Sequence, residues 1–376
     1  MNKPYEQEHI DLQLIEQAGW SPVWQNAFDR HGDEFADAVA ARVIREDYGA
    51  YKVITAAGER LAEVSGHFRH AVQTRSDFPA VGDWVVLQVP DAHSTCVIHA
   101  VLPRISAFVR KGAGRAPEEQ VVAANIDTAF LVSGLDHNFN PRRIERYITL
   151  AHESGADPVI LLNKADCATD VDRARRETES IAYGIPVLVL SATQRRGLDA
   201  LWDFLTPGSS GVLLGSSGVG KTSLINALLG EEVFRTASVR EDDSRGRHTT
   251  SFRQLIPLPN GAVLIDTPGM RELQLLAGES TINLAFDEIA EWAESCRFRD
   301  CSHTGEPGCA VQAALSTGEL CLERYESYLR QRKEIRHHQI ESDIHLKIAE
   351  QRRWKTIHKS MQYHIKAGAG SGRRRP

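Results

Sequence analysis

Residues 215–222 read Gly-Ser-Ser-Gly-Val-Gly-Lys-Thr, the pattern G-x-x-x-x-G-K-[ST], between a strand-like apolar run, GVLLG, and a helix-like one, SLINALLG. That setting restricts the fold more than any other stretch, because such a turn cradles phosphate only where a strand delivers it to a helix N-terminus. Its glycines let backbone N–H groups close around phosphate oxygens, and the helix dipole adds to their pull. The cradle comprises Gly215, Ser216, Ser217, Gly218, Val219, Gly220, Lys221, Thr222 and Ser223. Lys221 pairs with the outer phosphates and Thr222 ligates magnesium. Leu224, Ile225, Leu228 and Leu229 follow at helical spacing, and Gly230 suits a helix stop. Such loops usually follow the first strand of their domain, yet here more than half the chain comes first.

ATP and GTP hydrolases share this loop, so the base is read elsewhere. Asn163, Lys164, Ala165 and Asp166 end the apolar run PVILL and resemble the guanine-specificity motif N-K-x-D of GTPases. In that family the Asp carboxylate accepts from the guanine ring N–H and exocyclic amine, donors that adenine lacks in that arrangement. The resemblance gives this part to Asp166, loop bracing to Asn163, and a place along base and ribose to Lys164. Ser191 and Ala192 close a second run, PVLVL, where the family contacts the guanine oxygen through a backbone N–H. Later, AVLI leads into Asp266-Thr-Pro-Gly269, matching D-x-x-G, whose Asp holds magnesium through water and whose Gly N–H senses the outermost phosphate. The polar segment EDDSRGRHTTS before it reads as a switch closing over magnesium through Thr249 or Thr250. The expected magnesium set is Thr222, Thr250 and Asp266. The order is guanine motif, SA, phosphate loop, switch, DTPG, a circular permutation of the usual phosphate-first order. Doubly wound sheets accept this because ligands gather at the carboxyl ends of the strands, whatever order the chain visits them.

The chain has 376 residues, room for two or three domains, and 44 basic against 50 acidic side chains. The resulting −6 argues against a protein coated in positive charge, but the end differs. Residues 347, 352, 353, 355, 359, 366, 373, 374 and 375 are Lys or Arg against the single acid Glu350, which suits a polyanion partner or a solvated tail. No apolar run approaches the roughly 18 residues of a membrane helix. The N-terminus lacks a signal layout, so a cytoplasmic protein with no membrane partner is expected.

Cys296, Cys301, His303 and Cys309 form C-x4-C-x-H-x5-C, whereas Cys96, Cys167 and Cys321 stand alone and are expected to be buried or partly buried thiols. Three thiolates and an imidazole suit tetrahedral zinc and leave no open position, so one structural zinc is expected. Upstream, ARVIRE, AYKVITAA, ERLAEVS, DWVVLQV and TCVIHAVL read as five strands in a small barrel of OB type, a fold that often binds RNA. Arg69, Arg75, Arg104, Arg110 and Lys111 are candidate phosphate contacts. LIEQAGW and VWQNAF read as short amphipathic packing helices, and KGAGRAPEEQ as a linker.

Together a barrel, a permuted GTPase and this cysteine-histidine segment resemble the ribosome small-subunit-dependent GTPases of RsgA/YjeQ type. ANID at 124–127, NKAD, GSSGVGKTS, GRHTT, DTPGM and the zinc pattern carry the resemblance. It implies GTP hydrolysis to GDP, with magnesium, stimulated by the small ribosomal subunit during late maturation, and rRNA contacts from the barrel and zinc segment. The expected architecture is a multidomain chain with a helical extension (1–38), an OB-type β-barrel (39–112) and a central α/β circularly permuted P-loop GTPase domain (113–278). A mainly helical zinc-binding domain (279–366) and a basic tail (367–376) complete it, and a monomer is expected. In small GTPases a glutamine after D-x-x-G orients the attacking water, but Met270 stands there and a thioether cannot do so. The resemblance supports His248 of the switch in that role, so the catalytic set is His248, Lys221 and Thr250. Rival readings are an RNA-binding protein with structural nucleotide and zinc sites and no significant hydrolysis, and a P-loop ATPase or kinase carrying a zinc module.

Overall fold

The computed structural model describes residues 12–31, 34–35, 37–47, 49–90, 94–111, 119–137, 139–234, 253–266 and 279–342. The chain divides into two compact units, Met1–Gln274 and Leu275–Pro376.

In the first unit, short helices α1 (Leu12–Gln17) and α2 (Pro22–Asp29) precede strands β1 (Ala38–Asp47), β2 (Ala50–Thr55) and β3 (Gly58–Val64). Helix α3 (Gly66–Ala71), β4 (Trp84–Gln88) and β5 (Cys96–Val101) follow. β1 pairs with β2 and β4, β2 with β3, β3 in parallel with β5, and β4 with β5, so the five strands close into a barrel. All five coincide with the runs expected from sequence. Alternation explains the filling: Tyr51 and Val53 of β2, Ala62 and Val64 of β3, and Val85 and Leu87 of β4 point into one core with Cys96 and Ile98. On the other side of β4, Trp84 and Val86 bury against Ile15, Ala18 and Trp24 of the N-terminal helices. The Trp20 and Trp84 rings meet edge to face at 4.8 Å. The helices pack, as their amphipathic pattern predicts.

A hairpin of β6 (Ala107–Lys111) and β7 (Glu119–Ala124) leaves the barrel. The stretch expected as a linker therefore begins and ends in paired strands, Arg110 opposite Gln120 and Lys111 opposite Glu119, with 112–118 outside the described residues. Next come β8 (Thr128–Gly134), α4 (Pro141–Ser154), β9 (Asp157–Asn163), α5 (Val171–Ala182), β10 (Val187–Val189), β11 (Ser210–Leu214), α6 (Lys221–Leu229), β12 (Gln254–Pro257) and β13 (Val263–Asp266). The strands order as β10-β9-β8-β11-β13-β12, parallel except for the antiparallel β12. β8, β9, β11 and β13 are nearly continuous apolar runs because helices cover parallel sheets on both faces. The chain runs outward from β8 to β10, then restarts at β11 beside β8 and moves the other way. That reversal opens a crevice at the carboxyl ends. β12 also pairs antiparallel with β1, Gln254 opposite Arg45, so barrel strands and α/β strands share one sheet.

Arg42 of β1, 1% exposed, lies at this junction. Its guanidinium donates to the carbonyls of Ala18, Gly82 (3.1 Å) and Asn125 (3.0 Å) and to Ser210 Oγ (2.8 Å). Burial lowers it to about 10, against the attraction of Asp127 and Asp83.

The second unit contains α7 (Glu279–Ala285), α8 (Asp287–Glu294), α9 (Ala310–Thr317) and α10 (Leu322–Ser342) around Phe286, Ile289, Val311 and Tyr328. Arg324 donates to Glu288 (2.7 Å) and the Ala285 carbonyl (2.7 Å) while its guanidinium lies 4.1 Å from the Phe286 ring centroid. The basic end from Lys347 is outside the described residues. Among those described, no helix is long and apolar enough to cross a membrane.

Candidate functional site

Asn163, Gly215 and Asp266 sit at the carboxyl ends of β9, β11 and β13, facing the crevice. Asn163 is 1% exposed and uses both ends of its amide. Nδ2 donates to the Val219 carbonyl of the glycine-rich loop at 2.9 Å, and Oδ1 accepts from Ala192 N at 3.0 Å. The three separately read motifs, NKAD, SA and the glycine-rich loop, thus converge on one side chain. Gly220, at the start of α6, has φ +95°, and a Cβ there would lie 2.4 Å from Asn163 Nδ2. Only glycine fits both the backbone and the close approach.

Within the loop, Lys221 Nζ donates to the carbonyls of Gly215 (2.8 Å) and Ser216 (2.9 Å). Ser216, Ser217, Thr222 and Ser223 are half-buried, Gly218 is exposed, and Val219 is buried as an anchor. At the other end of the crevice, Asp166 is exposed and accepts from Ser191 Oγ and, more loosely, from Thr193 Oγ1 and Cys167 Sγ at 3.4 Å. The Ser191 hydroxyl holds this carboxyl below the usual carboxylate range. Ala165 N donates to Leu190 O at 3.1 Å, tying the NKAD turn to the strand that ends in SA.

Two residues that the sequence did not single out complete the frame. Asp136, just past β8, pairs with Lys164 Nζ at 2.6 Å and fixes the direction of a side chain whose backbone is left-handed, φ +65°. Arg143, in the first turn of α4, donates from Nη1 to Ser216 Oγ at 2.9 Å. A polar residue ending a buried parallel strand was a signal for Asp136, whereas nothing local distinguishes Arg143. His248, Thr249, Thr250, Gly269 and Met270 lie outside the described residues.

The second cluster is Cys296, Cys301, His303 and Cys309, whose ligand atoms all lie within 4.8 Å of one another. Cys296 Sγ and Cys309 Sγ are 3.8 Å apart, and each is 3.6 Å from His303 Nδ1. Burial opposes ionisation of Cys296, but the N–H groups of Ala310 and Val311 at the start of α9 outweigh it and lower that thiol. The His303 carbonyl accepts from Tyr325 OH (2.6 Å) and from Gln312 Nε2. Glu306 accepts from the N–H groups of Ser302 (3.0 Å) and Thr304 (2.9 Å), closing the loop between ligands. Four such donors in one small space could hold a metal ion, and the hydrogen bonds to the His303 carbonyl and Glu306 brace the loop around them. Cys96 is buried as expected, but Cys167 and Cys321 are exposed, correcting their assignment as buried or partly buried thiols.

On the barrel, Arg69 and Arg75 are exposed; in the β6–β7 hairpin Arg110 is half-buried, reaching Gln120. Arg104 is withdrawn from phosphate contact: it forms a two-pronged pair with Asp83 (2.7 and 2.8 Å) and donates to the carbonyls of Ser76 and Phe78.

The RsgA GTPase family model matches residues 101–276. The chain is 46% identical over 352 residues to the small ribosomal subunit biogenesis GTPase RsgA of Syntrophotalea carbinolica, covering 91% of this chain and 95% of that one. It is 42% identical over 340 residues to the protein of that name from Methanosarcina acetivorans, covering 90% of each. Among solved structures it resembles YjeQ from Thermotoga maritima, with TM-score 0.59 and 27% identity over 79% of this chain and 98% of the other. YloQ, described as a circularly permuted GTPase, matches with TM-score 0.56 and 25% identity over 80% and 96%.

Proposed function

This chain belongs to the RsgA family of GTPases, and we propose that it hydrolyses GTP in response to the small ribosomal subunit during late maturation of that subunit. The observation that carries this reading is the pair of hydrogen bonds made by Asn163, which tie the turn read as base-recognising to the loop read as phosphate-binding.

In that pocket Asp166 accepts the ring N–H and amine of guanine, Lys164 lies along the base held by Asp136, and the Ala192 turn meets the guanine oxygen. Asn163 and Ala165 brace the reading turn. The N–H groups of residues 215–223 surround the phosphates, and Lys221 leaves its carbonyl partners only as far as an incoming phosphate oxygen draws it. Thr222, Asp266 and Thr250 would hold magnesium, which neutralises charge between the outer phosphates. Gly269 N–H would report the γ-phosphate. A water then attacks the γ-phosphorus as the bond to the bridging oxygen breaks, giving GDP and phosphate. With Met270 where a glutamine often stands, His248 is assigned to orient that water. A contact with the small subunit that positions His248 would make turnover depend on the ribosome.

For the cysteine-histidine site, zinc fits. A tetrahedral zinc with ordinary Zn–S and Zn–N lengths separates two sulfurs by about 3.8 Å and sulfur from nitrogen by about 3.6 Å. Those values match the spacing of Cys296, Cys309 and His303. Four protein ligands leave no place for water, so the role is structural: the loop 296–309 is too short to bury a core of its own. The barrel and this loop would contact rRNA, with Arg69 and Arg75 available and Arg104 not.

The test is phosphate release from GTP by the zinc-loaded protein, alone and with each purified ribosomal subunit. Strong stimulation by the small subunit alone is expected. Tight subunit binding without stimulation would favour the reading in which nucleotide is only structural.

A further inference from the structure

Between Cys296 and Cys301 the chain reads Arg297-Phe298-Arg299-Asp300, and all four residues are exposed, Phe298 to 42%. A single exposed apolar side chain is ordinary on a protein surface. This one differs in being flanked by two cations on a loop whose ends are both metal ligands. It is also held rather than loose. Arg297 N donates to the Gly308 carbonyl at 3.1 Å, and Cys301 N donates to the Phe298 carbonyl at 3.3 Å. The Arg297 stem packs on Gly308 so closely that a Cβ there would lie 3.0 Å from Arg297 Cβ. Its guanidinium carbon then sits 5.5 Å from the Phe298 ring centroid. A loop backbone that is set before binding reduces the ordering cost of presenting its side chains to a partner.

We propose that Phe298 is a stacking platform for one unpaired RNA base, with Arg297 and Arg299 engaging the phosphates on either side of it. The proposal rests on the reading of this chain as an RNA-contacting ribosome factor and names the chemistry that its metal-closed loop recognises. A ring without polar atoms stacks on any base and reads no sequence, while a strand offers one phosphate on each side of each base. The alternating order cation, ring, cation matches that repeat. A duplex keeps its base faces covered by stacking, so the partner is single-stranded or bulged RNA. A protein partner fits less well, since the core of a protein interface buries several apolar side chains together and this tip presents one.

The test uses the full-length, zinc-loaded protein and a labelled, unstructured oligouridylate, titrated by fluorescence anisotropy at two salt concentrations. Wild type is compared with F298A, F298L, F298W and the R297Q/R299Q pair, each checked for one zinc per chain. F298A and F298L should bind about 5- to 100-fold more weakly with an unchanged salt slope, because stacking and not charge is lost. F298W should keep its affinity, and its added indole emission should be quenched on binding. R297Q/R299Q should lower the salt slope by about 1.4, two single-strand phosphates. Wild-type affinity in zinc-loaded F298L, or a loss in F298W as deep as in F298A, overturns the proposal. Subunit-stimulated GTP hydrolysis is followed alongside. An unstimulated wild type defeats the ribosomal reading, while the oligonucleotide series decides the platform by itself.

Discussion

Asn163 Nδ2 donates to the Val219 carbonyl across 2.9 Å, joining residues 56 positions apart in the chain. In a phosphate-first GTPase the same two motifs occur in the opposite order. Here a strand pair, β8 beside β11, brings the ends of the two halves together, and one amide locks them. In the proposed site, base recognition and phosphate binding therefore share a structural part. Asn163→Ala should weaken binding of both GDP and GTP by about 10-fold or more, since it leaves the buried Val219 carbonyl and Ala192 N–H without their partner. Fluorescent-nucleotide titration measures this, and an equal loss for the two nucleotides distinguishes it from a γ-phosphate defect.

In the proposed site Asp166 sets the base. Asp166→Asn should shift preference from guanine toward xanthine nucleotides, read as the ratio of their dissociation constants. The pH dependence follows from the Ser191 hydrogen bond, which holds the carboxyl below its ordinary range near 3.9. A depressed value means that the charged form persists as pH falls. GDP affinity of wild type should thus stay flat from pH 8 to 5, and an acid-side loss in that window would place the controlling group elsewhere.

His248→Ala should abolish most of the small-subunit stimulation while leaving nucleotide affinity within about 2-fold, the pattern of a group that acts only on the transition state. Equal stimulated rates in mutant and wild type would remove His248 from the mechanism.

Arg42→Met should destabilise the first unit by about 3 kcal/mol or more. It strips donors from three carbonyls and a hydroxyl that the fold has buried, and each such loss costs about 1–3 kcal/mol. Urea titration followed by tryptophan emission is a direct readout, because Trp84 lies 5.4 Å from the Arg42 guanidinium.

Glu306→Gln keeps size but gives up one of the two acceptor oxygens that bind the Ser302 and Thr304 N–H groups. Zinc should leave the protein about 10-fold faster, the usual scale for outer-shell changes at metal sites. A chromogenic chelator added to the folded protein follows the rate.

Local patterns carried much of this architecture. Tyr51, Val53 and their alternating neighbours revealed the barrel strands, because one face of each strand must be apolar. The nucleotide motifs were legible because each needs fixed residue types at fixed spacing. Legibility failed where a side chain serves a distant partner. Arg42 looks like any arginine in a strand, and its burial depends on carbonyls from Ala18, Gly82 and Asn125 that no local pattern brings together. Arg104 was misjudged for the same reason, since Asp83 claims it from another strand's edge. The β6–β7 hairpin was missed because glycine, proline and charge at 112–118 outweighed the short apolar flanks.

The pairing of Arg45 in β1 with Gln254 in β12 makes the barrel something other than a bead on a string. A fragment starting after the barrel would lose that pairing and leave the start of β12 as an open edge where another chain can add. Shortened versions of this protein should clump rather than work, and a lineage that discarded its barrel would first have to cap that edge.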